Sequence, residues 1–298
     1  MAKADIAALL ALAAALFIAI GDVMQQRSAH AVTDERVGSF TLFIRLLHDG
    51  RWWAGNLVAG AGFGLQIAAL GLGSVLLVQA LLVTSLLFAL PINAKLGNQR
   101  ITGWQWVWAV LVAVSVAVIV TVGNPQAGHA RASLEVWASV AAVMGPLLIL
   151  CLVGARIMSG PASAVLLALV SGSLWGLFAV LTKGVVDQLG AGIWPVLRTP
   201  ELYVWVVVVI GATAYEQAAF RAGSLTASLP TVTVAEPVVA SVLGVVVLAE
   251  TLNTNDVGWI GLGVAMAVMV VATAQLARSQ ATAVQSGAST PGRTTALA

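Results

Sequence analysis

Any chemistry in this chain has to come from a few polar side chains set in apolar sequence. The most conspicuous is Glu236, followed by Pro237, near the middle of SLTASLPTVTVAEPVVASVLGVVVLAE, Ser224 to Glu250. A carboxylate inside hydrocarbon is costly unless it faces a partner or a water-filled cavity, so this residue type at this depth points to binding of a proton, a cation or a solute. Pro237 and Pro230 each deprive a backbone carbonyl of its helical donor, which predicts a helix break. Thr231 and Thr233 carry hydroxyls that can answer freed backbone groups or a bound molecule. The simpler alternative is a kinked helix whose protonated glutamic acid is tied to a neighbouring polar group.

Six further residues extend the candidate set. Glu216, in AYEQ, lies about a turn and a half from the end of its apolar run; it either faces a site or pairs with Arg221. Asp22, in IAIGDVMQQR, shares a helix face with Gln25 and Gln26 if that helix continues through Gln26, and is an interfacial cap if it ends at Val23. Gln66 and Gln79 are amides within apolar runs, suited either to interhelical bonds or to solute contact. Lys183 can counter an anion or a carboxylate, or reach for headgroups. Trp175, followed by Gly176, offers a bulky ring beside a point of close approach, as cavity wall or as packing. Glu250, at the end of its run, reads as a cap or a lock to a loop rather than a substrate ligand.

Other chemistries find no support. His30, His48 and His129 are dispersed, and neither HExxH nor CxxC occurs, so no metal ligand set can be assigned and no cofactor is expected. No nucleophile, base and orienting residue can be assembled from spacing, so the chain is not read as an enzyme. Cys151 is the lone cysteine, which excludes an intrachain disulfide. AGAGFG, Ala59 to Gly64, lacks a following GK[ST] and is no nucleotide loop; its Gly60 and Gly64 predict a tight helix contact instead.

Positioning these groups falls to membrane helices. Of 298 residues 60% are hydrophobic and 9% charged, and mean hydropathy is +0.98. Lipid is therefore the solvent for most of the chain. The net charge of +2 forms no basic stripe, so nucleic acid is not an expected partner. Apolar windows recur at 5–25, 52–70, 73–94, 103–123, 134–155, 162–185, 201–220, 224–248 and 256–277. Each approaches the roughly 20 residues that cross a bilayer, which predicts an all-α polytopic membrane protein with nine transmembrane helices. Between the first two windows, 40–47 reads as a short interfacial helix, and 279–298 reads as a disordered tail.

With alternating crossings, one side holds Arg27, Arg36, Arg45, Arg51, Lys95, Arg100, Arg156, Arg221, Arg278 and Arg293, the other Lys3, Arg131, Lys183 and Arg198. The positive-inside rule makes the first side cytoplasmic, with the N-terminus outside and the C-terminus inside.

A shift of 150 positions lays Trp52 to Ser74 over Leu202 to Ser224, with identities at Ala68, Ala69, Gly73 and Ser74, and sets Gln66 on Glu216. The chain then divides into a four-helix repeat (1–125), a linking helix (126–160), a second four-helix repeat (161–278) and the tail. An odd number of crossings separates the copies, so they are inverted, an arrangement that supports alternating access around a mid-membrane site.

SLWGLFAVLTKG and AEPVVASVLGVVVLAETLNTNDVGWIGLGV resemble the drug/metabolite transporter superfamily with its EamA-type repeat. The motif positions fall on Trp175, Gly176, Lys183, Glu236, Pro237, Glu250, Gly258, Gly261 and Gly263. The nine-helix layout, with WWAG and VLLVQALL, is similar more narrowly to the NIPA-type magnesium transporter-like branch. The first repeat departs from the pattern, having Leu86 and Leu87 where the Glu-Pro pair would fall. The resemblance implies a plasma (inner) membrane secondary transporter of a small metabolite or drug-like solute, driven by protons or solute exchange. Its alternatives are a divalent cation carrier or a non-transporting scaffold or lipid-handling protein. Expected partners are membrane lipids and a small solute with a proton or cation; a homodimer is compatible.

Overall fold

The computed structural model describes residues 2–33, 50–97, 101–222 and 225–288. It is an all-α bundle, with α1 (Ala2–Thr33), α2 (Gly50–Leu72), α3 (Val75–Leu82), α4 (Ser85–Gly97) and α5 (Gly103–Thr121) in the first part. α6 (Leu134–Ile157), α7 (Pro161–Leu189), the short α8 (Ile193–Arg198), α9 (Pro200–Ala222), α10 (Leu225–Leu248) and α11 (Asp256–Ala288) follow. Two-residue strands β1 (Pro125–Gln126) and β2 (Thr251–Leu252) pair antiparallel. Among the described residues nine helical segments are long and apolar enough to cross a membrane, with α3 and α4 together making the third. The protein is a multi-pass membrane protein.

Helix contacts rest on small residues, which let backbones approach where hydrophobic burial drives little association. α1 buries Ala7, Ala11, Ala14, Ala15 and Ala19, and packs along α2. A Cβ on Gly62 would sit 2.8 Å from Ile18 Cγ1, and one on Gly21 would sit 2.7 Å from Ala59 Cβ. The expected contact at Gly60 and Gly64 is not formed. Both glycines have open space where a side chain would go, because Gly62, two residues from each, occupies the face turned toward α1.

The break also falls elsewhere than expected. α10 runs unbroken through Pro230 and Pro237. Each proline removes only one bond, and without water to compete for the rest of the ladder the neighbouring turns hold. The Thr231 and Thr233 hydroxyls bond Ala227 O and Leu229 O, four residues back, leaving the carbonyls that the prolines free. The interrupted span is instead the third. At Val83 and Thr84 the ladder tightens to three-residue bonds (Thr84 N to Leu81 O at 3.0 Å, Leu87 N to Thr84 O at 2.9 Å), and the Thr84 hydroxyl donates to Leu81 O. A side chain competing with the backbone in this way locally alters a helix ahead of that span's own proline, Pro91.

At one end of the bundle the loop after α5 lies against the end of α10. β1 pairs β2, and His129 N donates to Leu248 O at 2.6 Å. Gly128 is required there, since a Cβ would collide with the carbonyls of Leu248 and Ala249. Arg131 pairs with Glu201 at 3.0 Å over the start of α9. α6 buries none of its residues and packs chiefly along α7, leaving its apolar surface to lipid. α11 continues to Ala288, so the stretch from Ser279 to that point is helical where the sequence reads as disordered. Residues 40–47 and the last ten of the chain lie outside the described residues.

Candidate functional site

The polar groups gather around a cavity of about 280 Å³ inside the bundle. α1 supplies Asp22, α2 supplies Gln66 and Phe63, α3 supplies Gln79, α4 supplies Ser85 and Leu86, α7 supplies Trp175, α9 supplies Glu216, and α10 supplies Thr233, Glu236 and Pro237. Of the residues expected from sequence, Glu236, Glu216, Asp22, Gln66, Gln79, Trp175, Thr233 and Pro237 therefore share one space. Thr231, Pro230 and Lys183 do not line it.

Close helix packing fixes Glu236. Gly172 and Gly176 bring α7 onto α10, so that a Cβ on Gly176 would lie 2.9 Å from Glu236 O and 2.8 Å from Ala240 N. A side chain at either glycine would have to push α10, and Glu236 with it, away from α7.

Glu216 is held by Trp175, whose indole N–H donates to Oε2 at 3.0 Å. Among the described residues no ion pair joins Glu216 to Arg221, so the snorkelling alternative is not the one taken. The Trp175 ring stacks on Phe63, centroids 6.1 Å apart, and meets Phe178 edge-on at 5.4 Å. Trp175 is thus both wall and packing. Glu216 is near enough to Asp22 and to Glu236 to interact electrostatically with each.

α1 continues past Gln26 to Thr33, so Asp22 is not an interfacial cap. It lies within the helix and is exposed to the cavity. Gln66 is buried on the same lining. Gln79 is 1% exposed; its Nε2 makes no bond of strict hydrogen-bond geometry, and the acceptor it faces is the Glu236 carboxylate. A buried donor needs an acceptor, and that carboxylate is the one at hand.

Among the described residues no Lys, Arg or His lines the cavity. Lys183, expected as a counter-charge or a headgroup anchor, is buried at the bundle end away from Asp22. Its Nζ bonds Glu250 Oε1 and Gly73 O, both at 2.9 Å. The Glu250 carboxylate also accepts from Val75 N at 2.7 Å and Leu76 N at 3.0 Å, while Ser74 Oγ accepts from Leu77 N. The free donors of the first turn of α3 are thereby answered, chiefly by a residue 175 positions away. Glu250 is the cap its position suggested, and Lys183 belongs to that cap rather than to the cavity.

Sequence reasoning missed Phe63 and Ser85. Phe63 stood within a glycine-rich run read only for its spacing, and Ser85 follows Thr84, the hydroxyl beside the interrupted span.

These features define the class as a multi-pass membrane protein built around an acidic, amide-bearing cavity. No family model matches the chain, and no solved structure matches it. It is 36% identical over 279 residues to the protein of Corynebacterium glutamicum named Uncharacterized protein Cgl0250/cg0304, a match covering 92% of this chain and 95% of that one. The chain belongs to the same family as that protein.

Proposed function

We propose that this protein is a secondary transporter that moves a small solute by alternating access, with the cavity carboxylates exchanging protons during the cycle. The observation that carries this reading is the convergence of Asp22, Glu216 and Glu236 from three helices on one cavity, with no basic side chain on its lining among the described residues. Counter-charge for them must then come from what enters the cavity, a proton or a cation. At about 280 Å³ the space suits a small solute, just under the usual range for ligand pockets of roughly 300–1,000 Å³.

The inverted repeat supports the same reading. Under the 150-position shift, Gln66 and Glu216, Gln79 and Leu229, Leu82 and Val232, Val83 and Thr233, and Leu86 and Glu236 form related pairs, and both members of every pair line the cavity. The packing is also paired, with α1 along α2 as α7 lies along α9, and α5 meeting α11 across the two halves. A site at the interface of two inverted units is what rocking of one unit against the other requires. Assignment to the drug/metabolite transporter superfamily in the plasma membrane, N-terminus outside and C-terminus cytoplasmic, belongs to this proposal. On that orientation the cavity faces the cytoplasm and the Glu250–Lys183 cap closes the outer end.

A divalent cation carrier loses ground by comparison, since a hard ion needs several oxygens at once. Among the described residues no three His, Cys, Asp or Glu side chains come together closely enough to hold a metal ion.

The test is solute-driven proton flux into proteoliposomes holding a pH-sensitive dye, across a panel of amines, amino acids, sugars and organic acids. At least one solute should move protons, and Glu236→Gln should abolish the response. Solute flux with the same pH dependence in Glu236→Gln would remove the coupling role.

A further inference from the structure

We infer that α8 is a foot that docks in the phospholipid layer at the capped end of the bundle. Ile193, Trp194 and Leu197 enter the upper acyl chains, and Arg198 lies at the level of lipid phosphate. The inference needs only the multi-pass architecture and stands apart from transport.

The shape of the connection comes first. α8 joins two membrane-spanning helices, α7 and α9, without continuing either. Gly192 enters it at φ 114°, a conformation that favours glycine, and Thr199 leaves it extended, ahead of Pro200. At 3.6 residues per turn, Ile193, Leu197 and Trp194 fall within an arc of about 100°, with Arg198 at its edge. All four are exposed, whereas Val196, off that arc, is buried. Three large apolar side chains on one short face are costly to leave in water. The surface also runs on into lipid, since α9 follows at once and exposes Val204, Val207 and Ile210.

The backbone gives an independent reason. Non-helical chain in contact with lipid has to satisfy its own polar groups. After α7, Gly190 N, Ala191 N and Gly192 N donate to Asp187 O, Gln188 O and Leu189 O. At the other end of α8, Val196 O accepts from Thr199 N at 3.2 Å and from Thr199 Oγ1 at 2.7 Å. Leu197 O accepts from the Tyr203 hydroxyl at 2.9 Å. A turn standing in water could leave its last carbonyls to solvent.

The same Tyr203 bond sets the depth. Tyr203 and Trp259 are exposed near the starts of α9 and α11, at the end where β1 pairs β2 and Arg131 meets Glu201. Tyrosine and tryptophan with one apolar and one wet side collect at the headgroup level. Trp53, Trp104 and Trp106 are exposed near the starts of α2 and α5, across the bundle. Tied to Tyr203, α8 rides at the level of the first belt. Its footing there holds the ends of α7 and α9 together, the helices whose Trp175 and Glu216 are bonded at 3.0 Å.

The experiment places single nitroxide labels on the full chain in phosphatidylcholine vesicles, in a Cys151→Ser background. Labels go on Ile193→Cys, Trp194→Cys, Leu197→Cys and Arg198→Cys, each an exposed position. Ile210→Cys, exposed within α9, is the deep reference and His129→Cys the aqueous one. Collision with oxygen and with a water-soluble nickel chelate then reads depth. Ile193, Trp194 and Leu197 should lie about 5–10 Å into the boundary of headgroups and acyl chains, between the two references. Leu197, at the centre of the arc, should be deepest and Arg198 shallowest, with severalfold more contact with the chelate.

Chelate contact at all four sites equal to that at His129→Cys would put α8 in water and overturn the inference. Depths matching Ile210→Cys would make α8 part of a span rather than a foot, and would also overturn it. Low collision with both reagents would mean that protein, such as a second copy of this chain, covers the face in place of lipid. The four sites report separately, so loss of one variant leaves the result readable.

Discussion

The Lys183 ammonium lies 2.9 Å from the Glu250 carboxylate, in a pair almost wholly withdrawn from solvent, and that carboxylate also caps α3. One ion pair therefore ties the ends of α7 and α10, in the second half of the chain, to the first turn of a helix in the first half. Removing one member leaves a buried charge alone, a loss of about 3–5 kcal/mol for a pair of this kind. Glu250→Gln should lower thermal stability in detergent by that order, and so should Lys183→Met. Because the two act on one bond, the double variant should fall well short of the sum. Additive losses in a double-mutant cycle would show that the pair is not coupled.

The α7–α10 contact gives a second prediction. A Cβ on Gly176 meets α10 backbone atoms below 3.0 Å, and overpacking of this kind costs about 1–3 kcal/mol. Gly176→Ala should therefore reduce stability and, by displacing Glu236, reduce solute-driven proton flux. Gly60→Ala and Gly64→Ala are the matched controls, since both positions are open. They should stay within about 0.5 kcal/mol of the parent. If all three variants melt alike, the close approach at Gly176 is not a constraint.

Much of the cavity was legible because depth in a membrane is written in one dimension. An ionisable or amide side chain inside an apolar run has few places to go, so Glu236, Glu216, Gln66 and Gln79 could be picked out before their neighbours were known. Pairing across the bundle is not written that way. Lys183 near a helix end reads equally as counter-charge for a carboxylate or as a headgroup anchor, and nothing local to LTKG says that its partner is a carboxylate 67 residues on. The interrupted span was misplaced for a related reason. Proline is the visible breaker, but α10 keeps its ladder around both prolines, whereas the Thr84 hydroxyl shifts bonds in the third span with no outward sign.

Trp175 and Glu216 supply a third prediction. A hydrogen bond to an ionised carboxylate contributes about 1.5–3 kcal/mol. Trp175→Phe keeps the ring against Phe63 but removes the donor that a bound solute must compete with. The half-saturating solute concentration should then fall, by up to about tenfold for each 1.4 kcal/mol released, with slower turnover from tighter holding. Initial rates across solute concentration separate the two parameters. An unchanged half-saturating concentration would mean that Glu216 does not touch the solute.

The orientation can be tested with the chain's own scarcity of thiols. Cys151 is its one cysteine, so Cys151→Ser gives a background in which a single new thiol reports which side of the membrane it reaches. Ser85 lines the cavity, whereas His129 is exposed on the loop that covers the capped end. If the cavity faces the cytoplasm and the Glu250–Lys183 cap seals the outer side, a membrane-impermeant thiol reagent should label Ser85→Cys in inside-out vesicles and spare it in right-side-out ones. His129→Cys should behave in the opposite sense. Adding Glu250→Gln to the Ser85→Cys chain weakens the outer seal and should admit reagent from outside as well. Reversal of the two single-thiol patterns would turn the whole molecule over, with the excess of basic residues outside. Labelling of Ser85→Cys from both sides without Glu250→Gln would mean that the buried ion pair holds helices together but does not close the path.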